Sequence, residues 1–416
     1  MFHLKAMTNA PASAPESIGG YGFCLFLTIA RSVFWRYRIS AKFRNGLCQA
    51  GIEPVGIKHV IRRQLSVVRK YKMPNTLNPQ RTAGGQAVPL LNRPHQIRTV
   101  DAYDADDHAC NLTAWKQNYD QITPGKFHGV LAELQMPQMQ VFLEQTSQAV
   151  HQSCCVWPDA FWFGLQMHAN SGRINGRLCG TGAIMVRPGN CEFELVTPVD
   201  YAIYGIVIRR NALLCAADQM RCRIDWSQLA NAEVLHVADA ANTACLQTLA
   251  SLLSDHDAGS EQIPAASLEL PQQAVMMAIL SMLDTSEADR ALSSSFMRRQ
   301  RIVGQARDYV LAHRDQAIAV PELCEHLHVS RRTLQYCFED VLGISPIQYL
   351  RIIRLNGARR HLREDLSNSR TVRDVAVDWG FWHFSQFSSD YRKLFGQSPS
   401  ELLRQRILAP SLASSA

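Results

Sequence analysis

The chain has 416 residues with a formal net charge of +7 at neutral pH, long enough for two domains with a core in each. That charge is segregated: residues 1–72 carry 12 Lys and Arg against 2 Asp and Glu, residues 73–297 carry 13 against 22, and residues 298–416 carry 18 against 12. An acidic middle and a basic end are expected where only the end approaches a polyanion. The 12 cysteines show no C-x-x-C spacing, and Cys154–Cys155 are adjacent, so a disulfide framework and a zinc finger are both excluded and buried reduced thiols remain.

Residues 22–35, GFCLFLTIARSVFW, are an apolar run broken by Arg31. The run is too short to cross a bilayer, and a signal peptide would place its charge before the run rather than after it. The stretch to Lys72 is arginine-rich, with scattered Gly and Pro and little periodicity. Residues 1–95 are therefore read as a basic extension, disordered or lying upstream of a true start at Met73. The other reading is a basic arm on DNA or a membrane.

Residues 96–285 behave as a folded domain. Short β-like runs fill 134–165 and 181–208, with Arg187-Pro188-Gly189-Asn190 and Pro198-Val199-Asp200 as turns between strands. Several strands with close turns predict a small β-sandwich or barrel of cupin or jelly-roll type, able to enclose a ligand. From about Ala240 the pattern turns helical, through Leu246, Leu249, Leu252 and Leu253 and then Val275, Met276, Ile279, Met282 and Leu283. Such a pair packs on the β domain or forms a dimer seam. Polar, small residues at 286–297 read as a linker.

The chemistry-bearing pattern lies at 298–406. In residues 320–343, Pro321 suits the first turn of a helix, Leu323 and Leu327 share a face, and Ser330 has N-cap chemistry. The next helix buries Leu334, Phe338 and Val341 or Leu342 and ends at Gly343. Its outward first turns carry Arg331, Arg332 and Gln335. Arginine pairs bidentately with guanine and glutamine with adenine in the major groove, so this reads as the recognition helix of a helix–turn–helix. A solvated polar face is the plainer alternative.

Residues 345–362 predict a rigid helix anchored by Tyr349, Leu350, Ile353, Leu355 and Leu362, with Arg351, Arg354, Arg359, Arg360 and, just beyond, Arg363 around its outside. Ser330, Arg351, Arg359, Arg360 and Arg392 are candidate phosphate contacts, and Arg354 is open to an internal ion pair. Residues 371–396 repeat the motif. Thr371 caps a short helix, Gly380 allows the turn, and a second helix buries Phe384 or Phe387 with Tyr391, Leu394 and Phe395. Its outward set, His383, Ser385, Gln386 and Ser389, is polar but weakly charged, which favours few or water-mediated base contacts. Residues 407–416 are expected to be a disordered tail.

The runs S-R-R-T-L-Q (330–335), L-G-I-S-P (342–346), G-F-W (380–382) and D-Y-R-K-L-F-G-Q-S-P (390–399) resemble the AraC/XylS family of transcription regulators over about residues 298–406. Two departures stand out: His328 sits where many such units keep a turn glycine, and Trp382–His383 replace a small polar pair. The segments at 112–129, 152–164 and 187–201 are similar to the sensor half of ethanolamine-utilisation operon regulators in that family. The resemblance implies an α+β protein with a β-rich sensor and an all-α domain of two helix–turn–helix units. It further implies a cytoplasmic, nucleoid-associated activator with double-stranded promoter DNA and RNA polymerase as partners, ethanolamine and adenosylcobalamin as effectors, a homodimer as one possible state, and no membrane.

Candidate walls of the effector pocket are Trp115, Lys126, His128, Trp157, Phe161 and Trp162, each of them open to a purely structural reading. The D-x-H-x-x-G pattern of base-off cobalamin enzymes is absent around Asp255-His256-Asp257, and His128, His151 and His168 lack metal-ligand spacing. An enzyme fused to a DNA-binding module would need a four-cysteine zinc site with a P-C-H-R cysteine, or an H-x-H pair near the strands, and neither is present. A regulator responding to a sugar, amino acid or aromatic acid remains the alternative.

Overall fold

The computed structural model describes residues 97–167, 171–254, 265–289, 293–364 and 370–404. The basic extension, the proposed start at Met73, His168, the Asp255–Asp257 segment and the C-terminal tail lie outside them. The β-rich part runs β1 (Ile97–Ala102), α1 (Ala105–Asn111), β2 (Lys116–Gln121), β3 (Gly129–Met136), β4 (Met139–Thr146), β5 (Val150–Cys155), β6 (Ala160–Gln166), β7 (Arg173–Ile174), β8 (Arg177–Leu178), β9 (Ala183–Pro188), β10 (Glu192–Thr197) and β11 (Tyr201–Arg209). It continues with α2 (Arg210–Met220), α3 (Trp226–Asn231), β12 (Val234–His236), α4 (Asp239–Ser254), α5 (Glu269–Leu283) and β13 (Glu287–Ala288).

Two sheets form, one in the order β1-β3-β4-β11-β6-β9-β12-β13 and the other β2-β5-β10-β7-β8. The period of two decides which side chain faces which layer. In β11, Ile203 and Val207 join a core that includes Tyr119, Val150 and Phe193 of the second sheet, while Tyr204, Ile206 and Ile208 join a core with α2, α4 and α5. The large sheet is thus buried on both faces, which is why its strands read as nearly unbroken apolar runs. Of the two roles open to the helical pair, the structure shows packing on this sheet.

The segment expected to be a linker is shorter than the sequence suggested. Leu235 and His236 of β12 pair with Ala288 and Glu287 of β13, and helix α6 (Ser294–Ala312) already begins at Ser294, where Ser293 accepts from Phe296 N–H as its N-cap. A polar composition hid both features, because edge strands and caps are themselves polar.

The rest is helical: α7 (Val320–His326), α8 (Arg331–Leu342), α9 (Pro346–Glu364), α10 (Val372–Asp378) and α11 (Phe384–Phe395). Helices α6, α7, α8 and the first half of α9 share a core around Leu323, Leu334, Phe338 and Ile353. A separate core around Leu355, Trp379, Phe387 and Tyr391 joins the second half of α9 to α10 and α11. Gly357 makes the second contact possible, since a Cβ there would lie 2.1 Å from the Trp379 ring. Helix α9, ~28 Å long at 1.5 Å per residue, therefore carries one helix pair at each end.

Candidate nucleic-acid interface

Side-chain caps start α8 and α10, and glycines stop α8 and α11. The Ser330 hydroxyl accepts from Thr333 N–H, 3.1 Å away, and satisfies one open donor at the start of α8. Thr371 and Asp374 form a reciprocal capping box on α10. Gly343 and Gly396 end α8 and α11 in the left-handed region, at φ 75° and 69°. The turn between α7 and α8 needs the same conformation, and there His328 holds φ at 51°. A side chain in that region costs of order 1 kcal/mol that glycine avoids.

Buried Leu334, Cys337, Phe338 and Val341 turn the opposite stripe of α8 to the outside. Arg331 and Arg332 are exposed and Gln335 is half-exposed, with its Nε2 donating to Glu339 Oε1 at 2.5 Å. On the second pair, His383, Ser385, Gln386 and Ser389 are all exposed, and Gln386 Nε2 donates to Asp390 Oδ1 at 2.9 Å. Both pairs hold a glutamine against a carboxylate one turn on, so a base edge would have to displace that carboxylate. Two large aromatics share these surfaces: Trp382, which the sequence singled out as a departure, is 60% exposed, and Tyr336, which it did not, is 56% exposed.

The basic residues of α9 divide into two groups. Arg351 is half-exposed and pairs with Asp390 at 2.6 Å, and Arg392 is exposed on α11. Arg354 is half-buried and donates to the carbonyl of Ile318 at 3.0 Å, where an ion pair had been open. Arg359, Arg360 and Arg363 do not ring the outside as expected. They face the β-rich domain.

Arg359 Nε donates to Asp104 Oδ2 at 2.5 Å, and its guanidinium lies 4.6 Å from the Phe395 ring centroid. Arg360 reaches Asp106 at 2.8 Å and Asp120 at 2.5 Å, and Arg363 reaches Asp104 at 2.8 Å and also Asp107. Burial alone would raise the Asp104 carboxyl, but Arg359, then Arg363 and the helix N–H groups hold it below the usual range. Asp106 goes the other way, pushed up to about 6, because burial and the neighbouring Asp104 and Asp120 outweigh its share of Arg360. Phosphate contact by Arg359 and Arg360 requires an outer face, and here those two side chains are taken by carboxylates. A charge pattern on one helix cannot show which neighbour will neutralise it.

Inside the β-rich domain, Trp115, Trp157 and Trp162 meet. Gln140 Oε1 accepts from Trp115 Nε1 at 3.0 Å and from Trp157 Nε1 at 3.4 Å, while Trp162 stacks on Phe193 with centroids 4.9 Å apart. Buried Glu133 accepts from Arg98, Thr113 and Gln140. Buried Glu144 accepts from Tyr119 Oη at 2.7 Å and lies 3.1 Å from His108 Nε2. The other three candidates are elsewhere. Phe161 points to the helix-covered face, since neighbouring strand residues alternate. Lys126 and His128 are exposed, the latter 2.8 Å from Asp101.

A family model described as a helix-turn-helix domain matches residues 323–405. The chain is 41% identical over 103 residues to the probable thc operon regulatory protein of Rhodococcus erythropolis, an alignment covering 25% of this chain and 31% of that protein. It is 32% identical over 128 residues to the XylDLEGF operon transcriptional activator 3 of Pseudomonas putida, covering 31% and 38%. Residues 323–405 thus match a helix-turn-helix domain, and the C-terminal part of the chain is similar in sequence to these operon regulators. Among solved structures, the DNA-binding domain of AdpA in complex with a target DNA is 26% identical and covers 26% of this chain and 96% of that one, with a TM-score of 0.24. The chain thus spans about a third of the length of the curated relatives it matches.

In this helix-turn-helix domain, the caps at Ser330 and Thr371 and the glycine exits at Gly343 and Gly396 were legible in the sequence. The acidic partners of α9 were not singled out. The signal was there in D-A-D-D at 104–107, a cap residue followed by two carboxylates, inside a segment that carries the chain's acidic excess.

Proposed function

We propose that this chain is a ligand-responsive regulator of transcription that reads double-stranded promoter DNA through helices α8 and α11. The observation that carries the reading is the pair of exposed polar stripes mounted at the two ends of one packed helix. Two such helices enter consecutive major-groove segments about one turn, ~34 Å, apart on one face of a duplex. Arg331, Arg332 and Gln335 supply direct base contacts at the first segment, and His383, Ser385, Gln386 and Ser389 supply polar, partly water-mediated ones at the second. Ser330, Arg351 and Arg392 are placed for phosphate contact. Arg359 and Arg360 can serve there only in a state where they leave their carboxylates.

The β-rich domain is the sensor in this reading, and effector binding shifts the population of arrangements of the two domains. Activation through RNA polymerase, a homodimer and a cytoplasmic setting follow from the family likeness. No described helix is long and apolar enough to cross a membrane. Ethanolamine is the effector we place first, on the likeness of the sensor segments. The tryptophan cluster with buried Glu133 and Glu144 has the chemistry for a small cation. Adenosylcobalamin enters by the same likeness alone. The rings of Trp115, Trp162 and Phe193 pack against one another without space for a corrin, so no step is assigned to it.

Footprinting of the full chain across neighbouring promoters, with and without ethanolamine and adenosylcobalamin, tests the proposal. Two protected segments one helical turn apart are expected. Uniform, sequence-independent protection would overturn the regulator, and a footprint unchanged by either compound would shift the effector to another small molecule.

A further inference from the structure

We infer that helix α1 is a transmitting latch: one face lies in the sensor core, and its N-terminal carboxylates fix the second helix pair, α10–α11, to the sensor while leaving the first pair on separate anchors. The inward face of α1 is His108, Ala105 and Ala109, all buried in the core that holds Tyr119, Phe127 and Leu131. The imidazole of His108 sits 3.1 Å from Glu144 and packs beside the rings of Tyr119 and Phe127, which ties α1 to this core. Four residues beyond the end of α1 comes Trp115, which shares Gln140 with Trp157, so a rearrangement of this core is felt by α1.

The outward end of α1 carries the latch. One carboxylate does two jobs: Asp104 Oδ1 accepts from Asp106 N–H at 2.9 Å and caps α1, while Oδ2 takes Arg359 and Arg363 of α9. Unwinding or tilting the first turn of α1 therefore opens both ion pairs at once. Arg359 in turn touches Tyr391 and Phe395 of α11, so the same guanidinium joins sensor to second pair. Next to it, Leu394 O at the end of α11 accepts from Gln121 Nε2 at 2.7 Å and from Gly125 N–H at 3.0 Å.

The first pair is held differently. Arg307 of α6 pairs with Glu194 at 2.8 Å, and Arg173 donates to Asp340 O at 3.1 Å, both from β7 and β10 rather than α1. Since the two pairs have separate cores, the second can loosen while the first stays seated. Its consequence for DNA rests on the function proposed above; the anchoring does not.

Amide hydrogen exchange on the full chain tests it. Asp104→Asn, and on the surface Asp107→Lys facing Arg363, are expected to raise exchange at 372–395 by tenfold or more and to leave 331–342 unchanged. The conservative variant Asp107→Glu, which keeps the charge facing Arg363, should retain protection. His108→Ala, which touches no arginine, should loosen the same 372–395 segment. Unchanged exchange at 372–395, or equal loosening of both pairs while 129–146 stays protected, overturns the latch. In a second arm, a duplex enriched by the wild-type chain from a random pool should bind Asp107→Lys about tenfold more weakly, with the loss confined to the second segment. If no duplex is enriched, the DNA reading fails and the exchange result still decides the latch.

Discussion

The two helix pairs share a plan and differ in almost every charge. The first presents two arginines and a glutamine, is held to the β-rich domain through the half-buried Glu194 and through Arg173, and keeps a strained histidine in its turn. The second presents only neutral polar groups, has a relaxed glycine at the same place in its turn, Gly380 at φ 72°, and is held by a cluster of aspartates. The more charged reader has the simpler anchor, and the neutral reader the stronger one. Direct base pairing supplies its own binding energy, whereas a weakly charged helix depends on being held in position.

Six substitutions would break or sharpen this contrast. The largest effects are expected in the cores. Phe338→Ala and Phe387→Ala should each cost ~3–5 kcal/mol, the first through the α6–α8 core and the second through the core on the far half of α9. Denaturant unfolding followed by local exchange would show each loss in its own pair, and equal spread across both would erase the distinction. Next, Arg332→Ala should weaken binding of an enriched duplex by ~1–3 kcal/mol and relax one base position, with Gln386→Ala costing less. Competition binding against single-base variants measures both, and a larger loss for Gln386→Ala would reverse the ranking.

Acidity probes the anchors separately. Asp106 has its carboxyl raised to about 6, so its contribution to stability is fully present below its ordinary value near 3.8 and is lost as pH rises through 6. Thermal melts from pH 7 to 5 should therefore gain about 1 kcal/mol from this group, and Asp106→Asn should flatten that gain. Glu194 is held down to about 2 by His151 and Arg307 against the raising effect of burial, so its contribution persists above about 4.5 and is lost only as pH falls through 2. The first anchor should be indifferent across the window where the second one titrates. Smallest of all, His328→Gly should stabilise the chain by about 1 kcal/mol, read as a rise in Tm, because glycine adopts the left-handed turn without strain.

Much of the C-terminal domain could be read from residues in order, because a cap, an apolar period and a glycine exit act within a few positions of one another. Ser330, Thr371, Gly343 and Gly396 do what their chemistry alone requires. The β runs within 134–165 and 181–208 were legible for the same reason, as was the turn at Asn190, with φ at 60°. What the sequence could not assign was direction across long separations. Phe161 and Trp162 are neighbours that face opposite layers, and only the sheet decides which is which. Arg359 and Asp104 are 255 positions apart, and a surplus of arginine on one helix says nothing about which carboxylates will fold against it. Local backbone chemistry is written in the sequence, but the pairing of distant charges depends on burial, and burial exists only once the layers have stacked.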